Sequence, residues 1–227
     1  MSKKLNVASL AEHLTKTQNK ARRIVVIVGA PGAGKSTFSE ALQAALSERV
    51  NCEVLPMDGF HFDDIVLNAR GHRPRKGAPH TFDVGGFATT LVRLAEDDGS
   101  EVAVPVFDRS IEIARAGARI IGPEARLILV DGNYLLLDDP DWTPLQQFFD
   151  KTVFLEVSEA VLEKRLYARW EAFGLSEEEI RTKLEGNDLP NARLVLRCSH
   201  PADITINNNG QQAIMQLHRK TLCSDEG

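Results

Sequence analysis

Gly29-Ala30-Pro31-Gly32-Ala33-Gly34-Lys35-Ser36 fits without a mismatch the pattern of a glycine, four residues, then Gly-Lys-Ser/Thr. Glycines at this spacing let a backbone wrap closely round phosphate oxygens, with several N–H groups pointing inward at a helix N-terminus, where the dipole favours anions. In such a loop Lys35 reaches the β- and γ-phosphates and the Ser36 hydroxyl coordinates Mg²⁺. With Thr37 following, residues 29–37 form the candidate nucleotide-binding segment. Asp131 ends the apolar run Leu127-Ile128-Leu129-Val130, a position from which a carboxylate holds Mg²⁺ directly or through water. An apolar run ending in Asp-Gly is otherwise an ordinary turn signal, and only the phosphate loop lends Asp131 its metal-binding reading. Another acid, Asp58, ends a further apolar run in Met57-Asp58-Gly59-Phe60-His61. On the same rim as the phosphate loop, it is placed to accept the proton of an attacking hydroxyl.

These groups can meet only if strands and helices alternate around them. Residues 24–28, 52–57, 102–107, 127–130, 153–157 and 203–206 read as strands, and residues 36–49, 86–96, 158–172 and 176–186 as helices. The strands are continuous apolar runs, so the predicted fold is α/β, a parallel sheet with helices on both faces. Residues 7–23 carry apolar side chains at helical spacing and read as an N-terminal helix outside the sheet. Residues 63–84 lack apolar periodicity and read as a long functional loop or a partly helical insertion. Residues 111–121 suggest a β-hairpin turning at Gly117, and Ser176 with Glu179 forms a helix-start capping pattern.

The 227 residues are 43% hydrophobic and 26% charged, with 27 basic against 32 acidic side chains and a net charge of -5. That balance excludes a disordered chain and leaves no basic footprint for nucleic acid. The longest apolar run, residues 24–28, is far too short to span a bilayer, and no signal-peptide core precedes it. Cys52, Cys198 and Cys223 are widely spaced and odd in number, so reduced thiols and a soluble, cytoplasmic protein are expected. A homodimer is compatible with the sequence.

The phosphate loop together with Asp58-Gly59-Phe60-His61, Arg75-Lys76-Gly77-Ala78-Pro79-His80-Thr81-Phe82-Asp83, Pro105-Val106-Phe107-Asp108-Arg109 and Val130-Asp131-Gly132-Asn133 resembles the P-loop kinases that include pantothenate kinase, uridine kinase and phosphoribulokinase. Within that group it is most similar to the fructose transport system kinase or nucleoside/nucleotide kinase-like proteins. The resemblance implies a single P-loop NTPase kinase domain over residues 1–227, with residues 60–84 as an acceptor-side loop and a lid over about 164–190. It implies ATP and Mg²⁺ as cofactors and a small molecule whose hydroxyl is phosphorylated. Matching positions make Asp58 the catalytic acid-base group and place His61, Asp83, Phe107 and Arg109 at the acceptor. Arg165 and Arg169 correspond to lid arginines that reach the phosphates, with Arg169 and Lys35 assisting transfer. Asn191 and the segment 202–204 correspond to the part passing near the adenine.

The chain departs from the group in having Asp131-Gly132 where relatives usually carry Glu-Gly, and Asp108-Arg109 where acceptor-contacting residues vary. An arginine there suits an anionic or polyhydroxylated acceptor. The run Arg70, Arg73, Arg75 and Lys76 reads most simply as a solvated loop face, with steering of an anionic substrate as the second reading. Trp170 and Phe173 read as packing residues. An ATP-hydrolysing regulatory or transport-associated protein without an acceptor is the alternative function; no Asn-Lys-x-Asp tetrad supports a GTPase switch.

Overall fold

Two apolar runs too continuous for one-sided burial form the centre of the sheet. Strand β1 (Arg23–Val28) is buried from Ile24 to Val28, and the strand at Leu127–Gly132 is buried at every position. The structure is a computed structural model that describes residues 7–16, 21–210 and 214–217. The remaining elements, numbered in chain order, are α1 (Val7–Thr15), α2 (Lys35–Leu46), β2 (Cys52–Pro56), α3 (Asp64–Ala69), α4 (Val84–Glu96), β3 (Val102–Asp108), β4 (Ile113–Ile121) and β5, the Leu127–Gly132 strand. They continue with β6 (Lys151–Glu156), α5 (Glu159–Ala172), α6 (Glu177–Lys183), α7 (Leu189–Cys198), β7 (Ile204–Asn207) and β8 (Ile214–Leu217).

The main sheet has the order β2-β5-β1-β6-β7-β8. Its first five strands are parallel and β8 closes one edge antiparallel to β7. Register brings Val28 opposite Gly132 and Phe154, and Pro56 opposite Asp131, so the carboxyl ends of β1, β2, β5 and β6 share one rim. Open parallel sheets place their sites at such a rim. Helix α2 buries Phe38, Leu42 and Leu46, and α4 buries Phe87, Leu91 and Leu94, the stripes of amphipathic helices. Helix α1 packs on α2 through Leu10, Ala11 and Leu14 and ends at Thr15, short of the expected residue 23; residues 17–20 lie outside the described set.

Residues 102–107, expected as a strand of the main sheet, instead pair antiparallel with β4 in a separate two-stranded ribbon. Pro105 has no N–H to donate, which disfavours it in a central strand. The hairpin therefore turns at residues 109–112, whereas Gly117 lies within β4 at φ +61, opposite a register shift between Val104 and Val106. Residues 63–84 are partly helical. Their neck is pinned where His61 bridges Phe82, Phe62 N–H donates to Thr81 O at 3.0 Å and Asp83 N–H to Phe60 O at 2.7 Å.

The capping box at Ser176 and Glu179 is present. The helix it starts runs on past the expected residue 186, through a π-helical turn, Leu184–Asp188, into α7. Pro190, the second residue of α7, has no N–H to offer back along the helix, and the Gly186 carbonyl four residues earlier accepts from Arg75 instead. Cys52 is a buried free thiol and Cys198 an exposed one, while Cys223 and the 221–227 tail fall outside the described residues. Among the described residues, no helix is long and apolar enough to cross a membrane.

Candidate active site

The phosphate loop leaves β1 at the shared rim and opens α2. Gly32 and Gly34 adopt φ +81 and +86, left-handed conformations that a side chain disfavours. Pro31, Gly32, Gly34, Lys35, Ser36 and Thr37 line a cleft. Gly29, Ala30 and Ala33 do not. They form the floor of the loop, where a side chain on Gly29 would stand 2.9 Å from Leu155 O.

Lys35 Nζ donates to Gly29 O at 2.9 Å, to Ala30 O at 3.1 Å and to Asn133 Oδ1 at 2.5 Å. Burial pulls its pKa down to about 8, against the raising influence of Asp58 and Asp131 and with the help of Arg169 and Arg109. Asp131 is 5% exposed. Burial pushes its carboxyl up to about 6; Lys35 and a hydrogen bond from Ser36 pull the other way. The Ser36 hydroxyl and the Asp131 carboxylate thus face one another as a pair of hard oxygen donors. Such a pair fits Mg²⁺, which takes one or two protein ligands and completes its shell with phosphate and water. Among the described residues, no group of three His, Cys, Asp or Glu offers a different metal site.

The two lid arginines part company. Arg169 lines the cleft, and desolvation, reinforced by Arg109, lowers its proton affinity from the arginine norm. Arg165 does not line it. Its guanidinium donates to Asn208 O at 2.7 Å and Gly32 O at 3.4 Å, while Asn208 Nδ2 donates to Ala33 O at 2.8 Å. Arg165 therefore braces the phosphate loop from outside. Asp203, expected near the adenine, sits at the opposite end of the strands, where its carboxylate accepts from the Thr152 N–H and hydroxyl at 2.9 Å. The segment from β7 that does reach the loop is the one at Asn208.

At the other end of the cleft, Asp58 sits in a 3₁₀ turn, Met57–Phe60, after β2. Arg109 donates to Asp58 Oδ2 at 2.6 Å from the tip of the β3–β4 hairpin. That approach depends on Gly59, because a Cβ there would collide with the Pro105 carbonyl. Two cations stand over the Phe107 ring, Lys76 Nζ 5.4 Å and the Arg109 guanidinium 5.9 Å from its centroid. His61 stacks 4.0 Å from Phe82 and 4.9 Å from Phe107, and its Nδ1 is 2.8 Å from Asp58 O. A carbonyl only accepts, so Nδ1 carries the proton; burial lowers the pKa of this histidine.

Asp83 does not join this group. It is exposed and caps α4 by accepting from Gly86 N–H at 2.9 Å. Lys76, which the basic run made look solvated, is 9% exposed at its side chain and donates to Asp64 Oδ1 and Glu112 O, each at 2.7 Å. Glu112, Asn133, Trp170, Asn187, Asp188 and Asn191 also line the cleft and were not placed there by sequence, apart from Asn191, which was assigned to the adenine. Asn133 follows the Asp131-Gly132 pair, a usable signal. Residues 187 and 188 had none, because the π-helical turn that aims them is not a local propensity.

No family model matches the chain. The crystal structure of a putative fructose transport system kinase from Silicibacter sp. TM1040 superposes with a TM-score of 0.84 at 43% identity, covering 88% of this chain and 98% of that one. The uncharacterised protein YggC of Escherichia coli K12 is 37% identical over 194 residues, 84% of this chain and 80% of its own length. A putative uridine kinase of Schizosaccharomyces pombe is 30% identical over 198 residues, 83% of this chain and 84% of its own.

Proposed function

The chain belongs to the P-loop kinase family that includes uridine and pantothenate kinases, and from that premise we propose that it transfers the γ-phosphoryl group of Mg-ATP to an alcohol hydroxyl of a small molecule. The observation that supports this reading is one continuous cleft with Lys35, Ser36 and Asp131 at one end and Asp58, Phe107 and Arg109 at the other. Phosphoryl transfer needs little covalent help from a protein; it needs in-line positioning and fixed positive charge. Backbone amides of the loop, Lys35 and Arg169 supply the charge, and Ser36 with Asp131 would hold the Mg²⁺, which neutralises phosphate oxygens when bound.

Asp58 accepts the proton of the attacking hydroxyl. Arg109, paired with it at 2.6 Å, holds the carboxylate in one orientation and can turn its remaining donors to the acceptor. The aromatic wall of Phe82 and Phe107 and the donors at Lys76 and Arg109 suit a polyhydroxylated or anionic compound such as a nucleoside, a pantothenate-like acid or a sugar. An NTPase without an acceptor has no use for this second end.

The deciding experiment is ATP consumption against a panel of nucleosides, pantothenate, sugars and sugar phosphates. Stimulation by one compound, with its phosphate ester recovered, is the expected result. Hydrolysis indifferent to every compound would overturn the reading.

A further inference from the structure

Arg75 closes a ring of polar contacts between the acceptor-side loop and the π-helical turn. Its guanidinium donates from Nη1 to Gly186 O at 3.2 Å and from Nη2 to Asn191 Oδ1 at 3.0 Å. Asn191, 2% exposed, donates through Nδ2 to Asn187 Oδ1 at 3.0 Å, and Asn187 Nδ2 donates back to the carbonyl of Lys76 at 2.8 Å. The ring starts and ends on adjacent residues of one loop, and its other members all belong to one turn of helix and the start of α7.

That turn is tied in a second direction. Asp188 accepts from Trp170 Nε1 at 2.6 Å, and Lys183 stands 4.6 Å above the same indole. Trp170 is the neighbour of Arg169 at the end of α5. A π-helical turn inside a longer helix is an uncommon geometry that recurs at functional sites. Here it is gripped by the acceptor-side loop on one flank and by the end of α5 on the other. Lys76 extends the grip to α3 and the hairpin tip through Asp64 and Glu112.

We infer that Arg75 is a positioning residue for Arg169: by fixing the π-helical turn through Gly186, Asn187 and Asn191, it fixes Trp170 through Asp188 and so places the Arg169 guanidinium at the phosphate end of the cleft. Arg75 itself does not line the cleft. The inference rests on the proposed kinase reading only in taking phosphate as what Arg169 meets.

The test is a double-mutant cycle on ATP binding measured by calorimetry, with no acceptor present. Arg75→Met should weaken ATP binding by roughly 3- to 30-fold, the range for coupling through intervening residues. Arg169→Met should weaken it directly, and the double variant should bind no worse than Arg169→Met alone. A purely structural role for Arg75 would instead give losses that multiply, and that result, or unchanged binding in Arg75→Met, would overturn the inference. Hydrogen exchange at the amides of residues 169–172 gives a readout free of nucleotide: acceleration in Arg75→Met supports positioning, and identical exchange overturns it. If Arg75→Met does not fold, Arg75→Lys, which keeps the charge but lacks the fork that reaches Gly186 O and Asn191 Oδ1 together, is read the same way. A non-additive cycle in a protein that phosphorylates nothing would sink the kinase reading and leave the positioning role standing.

Discussion

The nucleotide end of the cleft is made by backbone and by neighbours in sequence, held where strands β1 and β5 run side by side. The acceptor end is made by side chains carried on a 3₁₀ turn and the long loop that follows it, a hairpin outside the sheet and a π-helical turn, three separate stretches of the chain. A rigid sheet rim can serve every member of a kinase family, because the phosphates of ATP do not change. Acceptors do change, and elements hung outside the sheet can be remodelled without disturbing the core. The difference implies that most substitutions should injure one end and spare the other.

The largest effect is expected from Asp58→Asn, which should lower kcat on the true acceptor by about 10²–10⁴-fold while leaving ATP affinity intact. Steady-state turnover beside calorimetric ATP binding measures both ends in one variant, and undiminished turnover would remove Asp58 as the base. Next comes Lys35→Ala. Losing charge-assisted hydrogen bonds worth about 1.5–3 kcal/mol should weaken ATP binding roughly 10- to 100-fold.

A pH series sharpens that same end. Because the Lys35 pKa is held at about 8 in the free protein, ATP affinity should fall as pH rises through 8, roughly 5- to 10-fold between pH 7.5 and 9. Lys35→Arg should flatten the profile, and an equally steep profile in that variant would assign the titration elsewhere. Stability of the ligand-free protein should move oppositely. Between pH 8 and the ordinary lysine value the unfolded chain holds more protons at this group, so its contribution to stability grows with pH.

Gly59→Val should break the acceptor end alone. Its side chain meets the Pro105 backbone, and forcing the hairpin outward costs about 1–3 kcal/mol. Acceptor KM should rise and melting temperature fall with ATP affinity retained; equal damage to ATP binding would show that the two ends are not separable. The smallest effect is expected from Tyr134→Phe, which deletes the 2.6 Å bond from the Tyr134 hydroxyl to Gly77 O beneath the loop. About 1 kcal/mol of stability should be lost, seen as a shift in denaturant midpoint at unchanged slope.

The same contrast explains what could be read from residue order. The glycine spacing of the phosphate loop, the β-branched run before it and the acids at residues 58 and 131 carry their chemistry locally, and the structure brings all of them to one rim. Ile-Glu-Ile and Arg-Ile-Ile flank Gly117 like two strands round a turn, whereas the partner of β4 is β3, earlier in the chain. Asp83 was drawn into the acceptor group by motif position, yet as the residue before a helix its carboxylate is engaged by an N–H three residues on. A basic run looks solvated until the elements that accept its hydrogen bonds, the π-helical turn and α7 for Arg75 and α3 with the hairpin tip for Lys76, are folded against it.

The brace on the phosphate loop has a consequence in time. Asn208 donates to Ala33 and receives Arg165 on its own carbonyl, so the phosphate loop is steadied by a residue 175 positions after Ala33. During synthesis, β1 and α2 leave the ribosome long before β7 and the Asn208 that follows it, and contacts of such sequence separation form late. Until then the emerging chain carries the nucleotide motif without its support, and a chain halted before residue 208 would display the motif while holding it loosely.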